Sequence, residues 1–491
     1  FVSDWCVGFE ELRQRVDEYP LERVEKITGV DKALIAEAAR MYATADGASI
    51  PWTPITDQQI SSTSAIRLHS ILRAVTGNLD VVGGDTLGGF NPSYIPESEL
   101  GLHEVLSPEQ KAKQMGYDDH PVYTYRVAEM LKEPTEKVWG FPYADIVMGC
   151  HMANPTNVFR AMKTEQPYPI KAFIVLGNNA LLSYPNQHQI LEAMMNQELI
   201  VAHELFMTPT AMLADYILPG DVFTERNHVA DSWSWTTRLT LSQKVVEPPE
   251  QASSTYQFWH DLAVRFGFGN EFPWQSIEEV LDHRLARSGR TFREFEEQGF
   301  MEMPIPEYRK YRKTGFATPS GKVELYSSIL EELGFDPLPY YREGPATSPE
   351  YPYMVFTGVR EDPFFQTGQR NVKELRDRCP VPSVFIHPED ATRDGLNDGD
   401  WISLETPHGK VSAQLSVQSS MKQGHLRVPH GWWYPEMRGQ ESLAGAFLSS
   451  DAVLCSDDDE FLDYEQGIPH FKGFPGKVVK AEKPEHLQAA S

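Results

Sequence analysis

The stretch VLGNN at residues 175–179 sets an apolar, strand-like run against Gly177, with the amides Asn178 and Asn179 directly behind it. A glycine at the C-terminal end of a strand lets the backbone approach a bound group closely, and the N–H groups opening a following helix favour an anion. That is the chemistry of a nucleotide or pyrophosphate site. The next apolar run, ELIVAHEL, carries Glu204 near its end and is followed by Thr208, Thr210 and Asp215. Carboxylates can accept paired hydrogen bonds from a guanine edge or take ribose hydroxyls, and these groups are expected on the sheet end where open α/β folds bind ligands. On residue types alone two readings stand. The turn also reads as a plain strand terminus and Asp215 as a strand cap, and no GxGxxG is present.

The elements that must position these groups follow from periodicity. Residues 8–45 predict two helices and a turn, with Asp31 as N-cap of an Ala-rich helix. ASIPWTPITDQ predicts a short strand ending in a polar loop, and SAIRLHSILRAVTG a helix stopped by Gly77. From Asp80 to about Pro134 the chain reads as surface excursions. IKAFIVLGNN, HQILEAMMNQ and ELIVAHEL form a βαβ pattern, implying a parallel sheet, and ADYILPGD adds a strand. Helices are expected over YQFWHDLAVRF and SIEEVLDHRLARS, then a turn, strand and helix start over GFATPSGKVELYSS. Pro-rich residues 337–352 predict a linker. Beyond it, closely spaced short strands at YMVFTGV, SVFIHP, DWISLETPHGKVSAQLSV and GHLRVPHG predict a β-barrel. The expected fold is α/β with a C-terminal β-barrel, divided into α/β units 1–134 and 135–336, the linker, and a barrel unit 353–491.

Composition narrows the function classes. A chain of 491 residues with 41% apolar residues, 10 Trp, 20 Tyr and 25 Phe can build several cores. Its formal net charge of −26 repels nucleic acid and anionic membrane surfaces. No run approaches the ~18 apolar residues of a membrane span, so a soluble chain is expected, with cytoplasm and periplasm equally open. Cys6, Cys150, Cys379 and Cys455 are isolated, forming neither a CxxC metal site nor a disulfide framework. The chain opens at Phe1 without an initiator Met or targeting signal, so its true N-terminus is expected elsewhere.

Ordered motifs along the chain resemble the large subunit of the molybdopterin oxidoreductase, or dimethyl sulfoxide reductase, family. They are GFEEL with ITGVDKALIAEAARMYA, TDQQISSTSAIRLHSILRAVTGNLDVVGG, VLGNNALLSYPN, HELFMTPTAMLADYILPGDVFTERN, TPSGKVELYS, TGVR, FIHPEDATRDGLNDGDWISLETPHGKV and VPHGWWYPE. The resemblance runs from about residue 8 to about residue 478. It implies Rossmann-like α/β domains, a double-psi-type six-stranded barrel, and bis(molybdopterin guanine dinucleotide) gripping one Mo or W.

For the first dinucleotide the resemblance assigns Gly177, Asn178 and Asn179 to the pyrophosphate turn, Glu204 and Thr208 to ribose, and Asp215 to the guanine edge. Glu204 departs by one methylene from the family's usual Asp. The second dinucleotide is expected along Gln58, Gln59, Thr76, Gly77 and Asn78. In the barrel, Thr357, Gly358 and Arg360 of TGVR carry an anion-binding turn, since a guanidinium fork can bridge pyrophosphate or pterin acceptors, and Lys472 is a second cation. Within VPHGWWYPE, His430 and Trp432 are assigned to a pterin wall, while Trp433 and Tyr434 pack.

The family's N-terminal cysteine run, which binds an iron–sulfur cluster, and its metal-ligating residue have no counterpart here, so both are expected in a preceding segment. No catalytic residue and no protein metal ligand is assigned. His103, His151 and His228 are left as ordinary histidines, and Gln366 stands where many relatives carry His. DTLGGFNPSY lacks the Arg of formate dehydrogenases, which disfavours formate. The implied activity is oxygen-atom or coupled electron/proton transfer on a small-molecule substrate, with an iron–sulfur electron-transfer subunit as candidate partner. The alternatives are a non-redox hydratase or hydroxyl-transfer enzyme of the acetylene hydratase-like branch, which VPHGWWYPE resembles, and a catalytically dead scaffold.

Overall fold

A computed structural model describes residues 1–87, 93–143, 152–230, 238–302, 307–437 and 439–488. The N-terminal unit has helices Phe9–Asp17, Leu21–Thr28 and Lys32–Thr44, where two were expected. Gly29, at φ 68°, ends the second of these, and the Asp31 carboxylate caps the third by accepting from the Ala33 N–H at 2.7 Å. Helix Ser62–Thr76 ends at Gly77, φ 76°, as its sequence implies.

The strand expected in ASIPWTPITDQ does not form. Its backbone is satisfied by side chains instead of a neighbouring strand: Ala48 N–H donates to Asn78 Oδ1, Ile50 N–H to Asp85 Oδ2, and Arg73 to the Ile50 carbonyl. Strand Cys6–Val7 pairs in parallel with Val323–Glu324, and Cys6, Leu12, Ile71 and Ala74 share a core with Leu325 and Leu338. This unit is therefore assembled from two distant stretches, a correction to contiguous boundaries at 134 and 336. Nor is the region after Asp80 merely surface. Asp80 is fully buried against Lys310, and Lys111 is buried between Glu129 and Tyr143.

The second unit is built on parallel strands Ala172–Leu176, Leu199–Glu204 and Tyr216–Pro219, in that order. Helix Gln187–Met195 makes the crossover and buries Ile190, Ala193 and Met194 against Met162, Leu181 and Ile200. The chain continues into a separate antiparallel sheet of His228–Ala230, Arg238–Ser242 and Phe300–Glu302, with helices Thr255–Arg265 and Ile277–Leu285 where periodicity places them.

Residues 337–352 are irregular, yet they are pinned. Arg342 donates to the carbonyls of Ile60, Leu462 and Glu460, and the Tyr340 hydroxyl to Glu465.

The C-terminal unit is a closed barrel of Ser383–Ile386, Gly409–Val417, Trp401–Thr406, Lys472–Lys480, Tyr353–Val359 and His425–Pro429, each neighbouring the next. Strict alternation fills it: Val355, Ile402, Leu404, Val384, Ile386 and Leu426 are fully buried. Lys472–Lys480 is a strand despite the loop-like composition that Gly473, Pro475 and Gly476 give it. Closure requires one of them, since a Cβ on Gly476 would stand 2.5 Å from Val355 Cγ2.

Candidate functional site

At the C-terminal edge of the parallel sheet, Gly177 adopts φ 54° and donates its N–H to the His203 carbonyl at 3.0 Å. Nothing lies within 4 Å of where its Cβ would be, so the turn leaves open space at its surface. Asn178 is exposed beside it. Asn179 turns inward: its Oδ1 accepts from the Thr210 hydroxyl at 2.7 Å, and the same hydroxyl accepts from the Leu181 N–H. That bond ties the ends of the first two strands together and makes Asn179 a brace for the turn. Glu204 ends the adjoining strand on the same edge, half buried, with burial raising its carboxyl above the ordinary range. Thr208 is buried and accepts from the Ala211 N–H.

Asp215 lies at the other edge. Its Oδ2 accepts from the Ile200 N–H at 2.8 Å, and its own N–H donates to the Ile200 carbonyl at 2.9 Å. A residue that precedes its strand in a parallel sheet sits at the N-terminal edge. From Ile200 to Glu204 the strand runs about 13 Å. This corrects the expectation that Asp215 shares an edge with Gly177 and can reach a guanine held there.

The second concentration of candidate residues lies at the barrel. Lys472 donates its ammonium to the carbonyls of Thr357 and Gly358 at 2.7 and 2.9 Å. Gln58 arrives from the first unit, its carbonyl accepting from the Phe471 N–H at 3.2 Å. At Gly358, φ 66°, a Cβ would stand 2.8 Å from Lys472 Nζ, so a side chain there displaces the ammonium. Beneath the turn is Asp451, which the sequence did not single out. Its fully buried carboxylate accepts from the Gly358 N–H at 2.6 Å, the Gly431 N–H at 2.8 Å and His430 Nδ1 at 3.2 Å. Burial pushes the Asp451 carboxyl up, but His430 and the two N–H groups outweigh it and hold it below the ordinary carboxylate range. Only its place in the fold marks Asp451, since in sequence it precedes a run of similar acids, Asp457 to Glu460.

Trp432 does not form a wall. It is fully buried, with the guanidinium groups of Arg370 and Arg376 each 4.9 Å from its ring centroid and Phe364 packed edge-on. A ring enclosed on these sides cannot line an open pocket, so the pterin-wall expectation fails for it. Trp433 donates Nε1–H to the Thr367 carbonyl and packs into the core of the parallel-sheet unit, and Tyr434 is buried beside Trp432. Arg360 is exposed, lies 4.8 Å above the Phe365 ring, and makes no ion pair among the described residues. Its neighbour Glu361 is buried, and burial raises its carboxyl to about 7 against the opposing charge of Arg370.

Other candidates are dispersed. Gln59 is exposed, its side-chain amide donating to the Ile55 carbonyl. Thr76, Gly77 and Asn78 lie at the far end of helix Ser62–Thr76 from Gln58, about 21 Å along its axis. There Asn78 is buried, its amide spent on Ala48, Tyr42 and Thr76. A cavity of about 600 Å³ runs beside this helix, lined by Thr63, Arg67, Arg73, Glu324 and Gln466 among others. His103 is buried against the Tyr125 hydroxyl, His228 lies in the antiparallel sheet, and Gln366 is exposed. His151, Cys150 and residues 88–92 of DTLGGFNPSY fall outside the described residues. Among the described residues no group of three or more His, Cys, Asp or Glu side chains could hold a metal ion, and no helix is long and apolar enough to cross a membrane.

A pterin dinucleotide is an anion rich in donors and acceptors, and the residues fit it. The acidic chain gathers Lys472 and Arg360 at one turn, leaves open space over Gly177, and, among the described residues, keeps Gln466 Oε1 and His470 Nδ1 buried without a partner.

Comparisons with known proteins agree with this chemistry. Residues 354–458 match the model of the molydopterin dinucleotide binding domain, and residues 93–265 that of molybdopterin oxidoreductase. Acetylene hydratase of Syntrophotalea acetylenica is 45% identical over 98% of this chain and 67% of its own length. Formate dehydrogenase H of Escherichia coli is 26% identical over 88% of this chain and 58% of its own, and dopamine dehydroxylase of Eggerthella lenta 25% over 96% and 53%. The solved structure of acetylene hydratase from Pelobacter acetylenicus superposes with a TM-score of 0.93, again at 45% identity, covering 98% of this chain and 67% of that one. Together the matched models span more than half of the residues, and they fall on the parallel sheet and the barrel where the candidate groups collect: the chain belongs to the molybdopterin oxidoreductase family.

Proposed function

We propose that this chain is the cofactor-holding part of a molybdenum or tungsten hydratase that adds water to a small unsaturated substrate of the acetylene class. The observation that carries this is the disparity in identity: 45% to acetylene hydratase across nearly the whole chain, against 25–26% to formate dehydrogenases over a shorter stretch.

In this reading Gly177 and Asn178 receive the pyrophosphate of one guanine dinucleotide, and Glu204 and Thr208 its ribose. Gln58, Gly358, Lys472 and His430 hold the pterin side of the cofactor, with Arg360 as an exposed cation for a phosphate. When bound, the cofactor supplies a dithiolene-held metal that activates the small substrate. The chain's own part is to orient that group and to meet its charge. Hydration leaves the carbon skeleton at the same overall oxidation level, so turnover needs no electron-transfer subunit. An iron–sulfur cluster, if it accompanies the cofactor, belongs to polypeptide outside these residues.

The test is an anaerobic assay of the full-length holoenzyme. Acetaldehyde formed from acetylene without any electron acceptor or donor supports hydration. Turnover only with a viologen dye, and none with acetylene, would replace it with an oxidoreductase.

A further inference from the structure

We infer that Asp451 is a positioning residue which fixes the tautomer of His430 and so presents the lone pair of His430 Nε2 to N–H donors of the pterin ring system. This rests on the cofactor reading above and adds the atom and polarity of one contact. An ionised carboxylate only accepts hydrogen bonds. Asp451 is fully buried and meets donors alone on this side: Gly358 N–H, Gly431 N–H and His430 Nδ1. The proton of a neutral His430 must therefore sit on Nδ1, leaving Nε2 as acceptor.

The ring is held from several directions. The His430 N–H donates to the Val359 carbonyl at 2.9 Å, the His430 carbonyl accepts from Arg370 Nη2 at 3.0 Å, and Phe471 packs edge-on at 6.4 Å. The Nδ1 edge is closed off by Asp451, while 11% of the side chain stays exposed, so the open part of the ring is the edge that carries Nε2. Nε2 has no partner among the described residues. The same carboxylate also accepts from the Gly358 N–H, and the Gly358 carbonyl in turn accepts from Lys472, so one buried anion braces both the imidazole and the turn that holds the ammonium.

Two substitutions separate this from a structural role. In His430→Asn the amide N–H takes the place of Nδ1–H, keeping the Asp451 bond while removing the distal nitrogen. In His430→Gln the amide reaches the distal position and the Asp451 bond is lost. Full-length protein is made with and without the cofactor supply, and released GMP per chain and Tm are measured. For His430→Asn the expected results are a cofactor-free Tm within ~2 °C of wild type, on the scale of less than one hydrogen bond, and a severalfold loss of GMP. His430→Gln should show the reverse order, a lower Tm with most of the GMP retained. Full GMP in His430→Asn, or GMP that simply follows Tm in both variants, would overturn the inference. Wild-type protein without GMP would instead overturn the cofactor reading itself.

Discussion

The ammonium of Lys472 bridges the carbonyl oxygens of Thr357 and Gly358, joining the last strand of the barrel to the turn at the end of its first. Burial lowers the Lys472 ammonium below its ordinary value, so its charge is held in place by these acceptors and by Asp451 nearby. Replacing it with methionine keeps the stem and removes the donors. Lys472→Met is expected to cost roughly 1.5–3 kcal/mol of stability, as for a charged hydrogen-bonded group, and to reduce released GMP severalfold. Thermal unfolding and nucleotide analysis of the full-length protein check both.

Gly358 tests the same turn from the other side. An alanine there meets both the left-handed φ of 66° and Lys472 Nζ at 2.8 Å. Gly358→Ala should destabilise by about 1–2 kcal/mol from backbone strain and displace the ammonium. Gly177→Ala carries similar strain with no neighbour within 4 Å. A loss of GMP in Gly177→Ala out of proportion to the fall in Tm that this strain causes, and larger than in Gly358→Ala at equal Tm, would report the space the ligand needs.

Asp215 gives the opposite pattern. With its carboxylate on the Ile200 N–H at the N-terminal edge of the sheet, Asp215→Ala is expected to lower stability by about 1 kcal/mol and to leave cofactor occupancy unchanged. Sequence order alone suggested the reverse. Equal Tm with reduced GMP would return Asp215 to the ligand.

Glu361 makes stability depend on pH. Its carboxyl is raised to about 7 from an ordinary 4.5, so the folded chain keeps a proton that the unfolded chain releases. The stabilisation is complete below about pH 4.5 and is lost as pH rises through 7, amounting to something on the order of 3 kcal/mol. Glu361→Gln should remove this component, so that the difference in unfolding free energy between wild type and variant falls from pH 4.5 to 7 and then levels. A difference that stays flat across that range would contradict the raised value.

Much of the architecture was legible because it rests on local chemistry. Asp31 caps a helix and Gly77 ends one through their own backbone and side-chain bonds, and alternation along Tyr353–Val359 and Trp401–Thr406 announces a barrel. What was not legible depends on partners distant in sequence. The segment at Ala48 to Pro51 has strand-like composition, but Asn78, Asp85 and Arg73 take its backbone groups. Trp432 reads as an amphipathic pocket residue until Arg370 and Arg376 close over it. Asp451 resembles any acid in a polar stretch, and only folding brings it beneath Gly358 and Gly431. Candidate residues that needed only a strand end, such as Gly177 and Glu204, fell together as expected, whereas Asp215 needed the direction of its strand.

The most direct measurement is the nucleotide and metal content of the full-length protein purified anaerobically. The account predicts about one molybdenum or tungsten per chain and GMP released on acid hydrolysis in a two-to-one ratio to that metal. Neither metal nor GMP in a folded protein would contradict it, and the residues at Gly177, Gly358, His430 and Lys472 would then be supports of the fold alone.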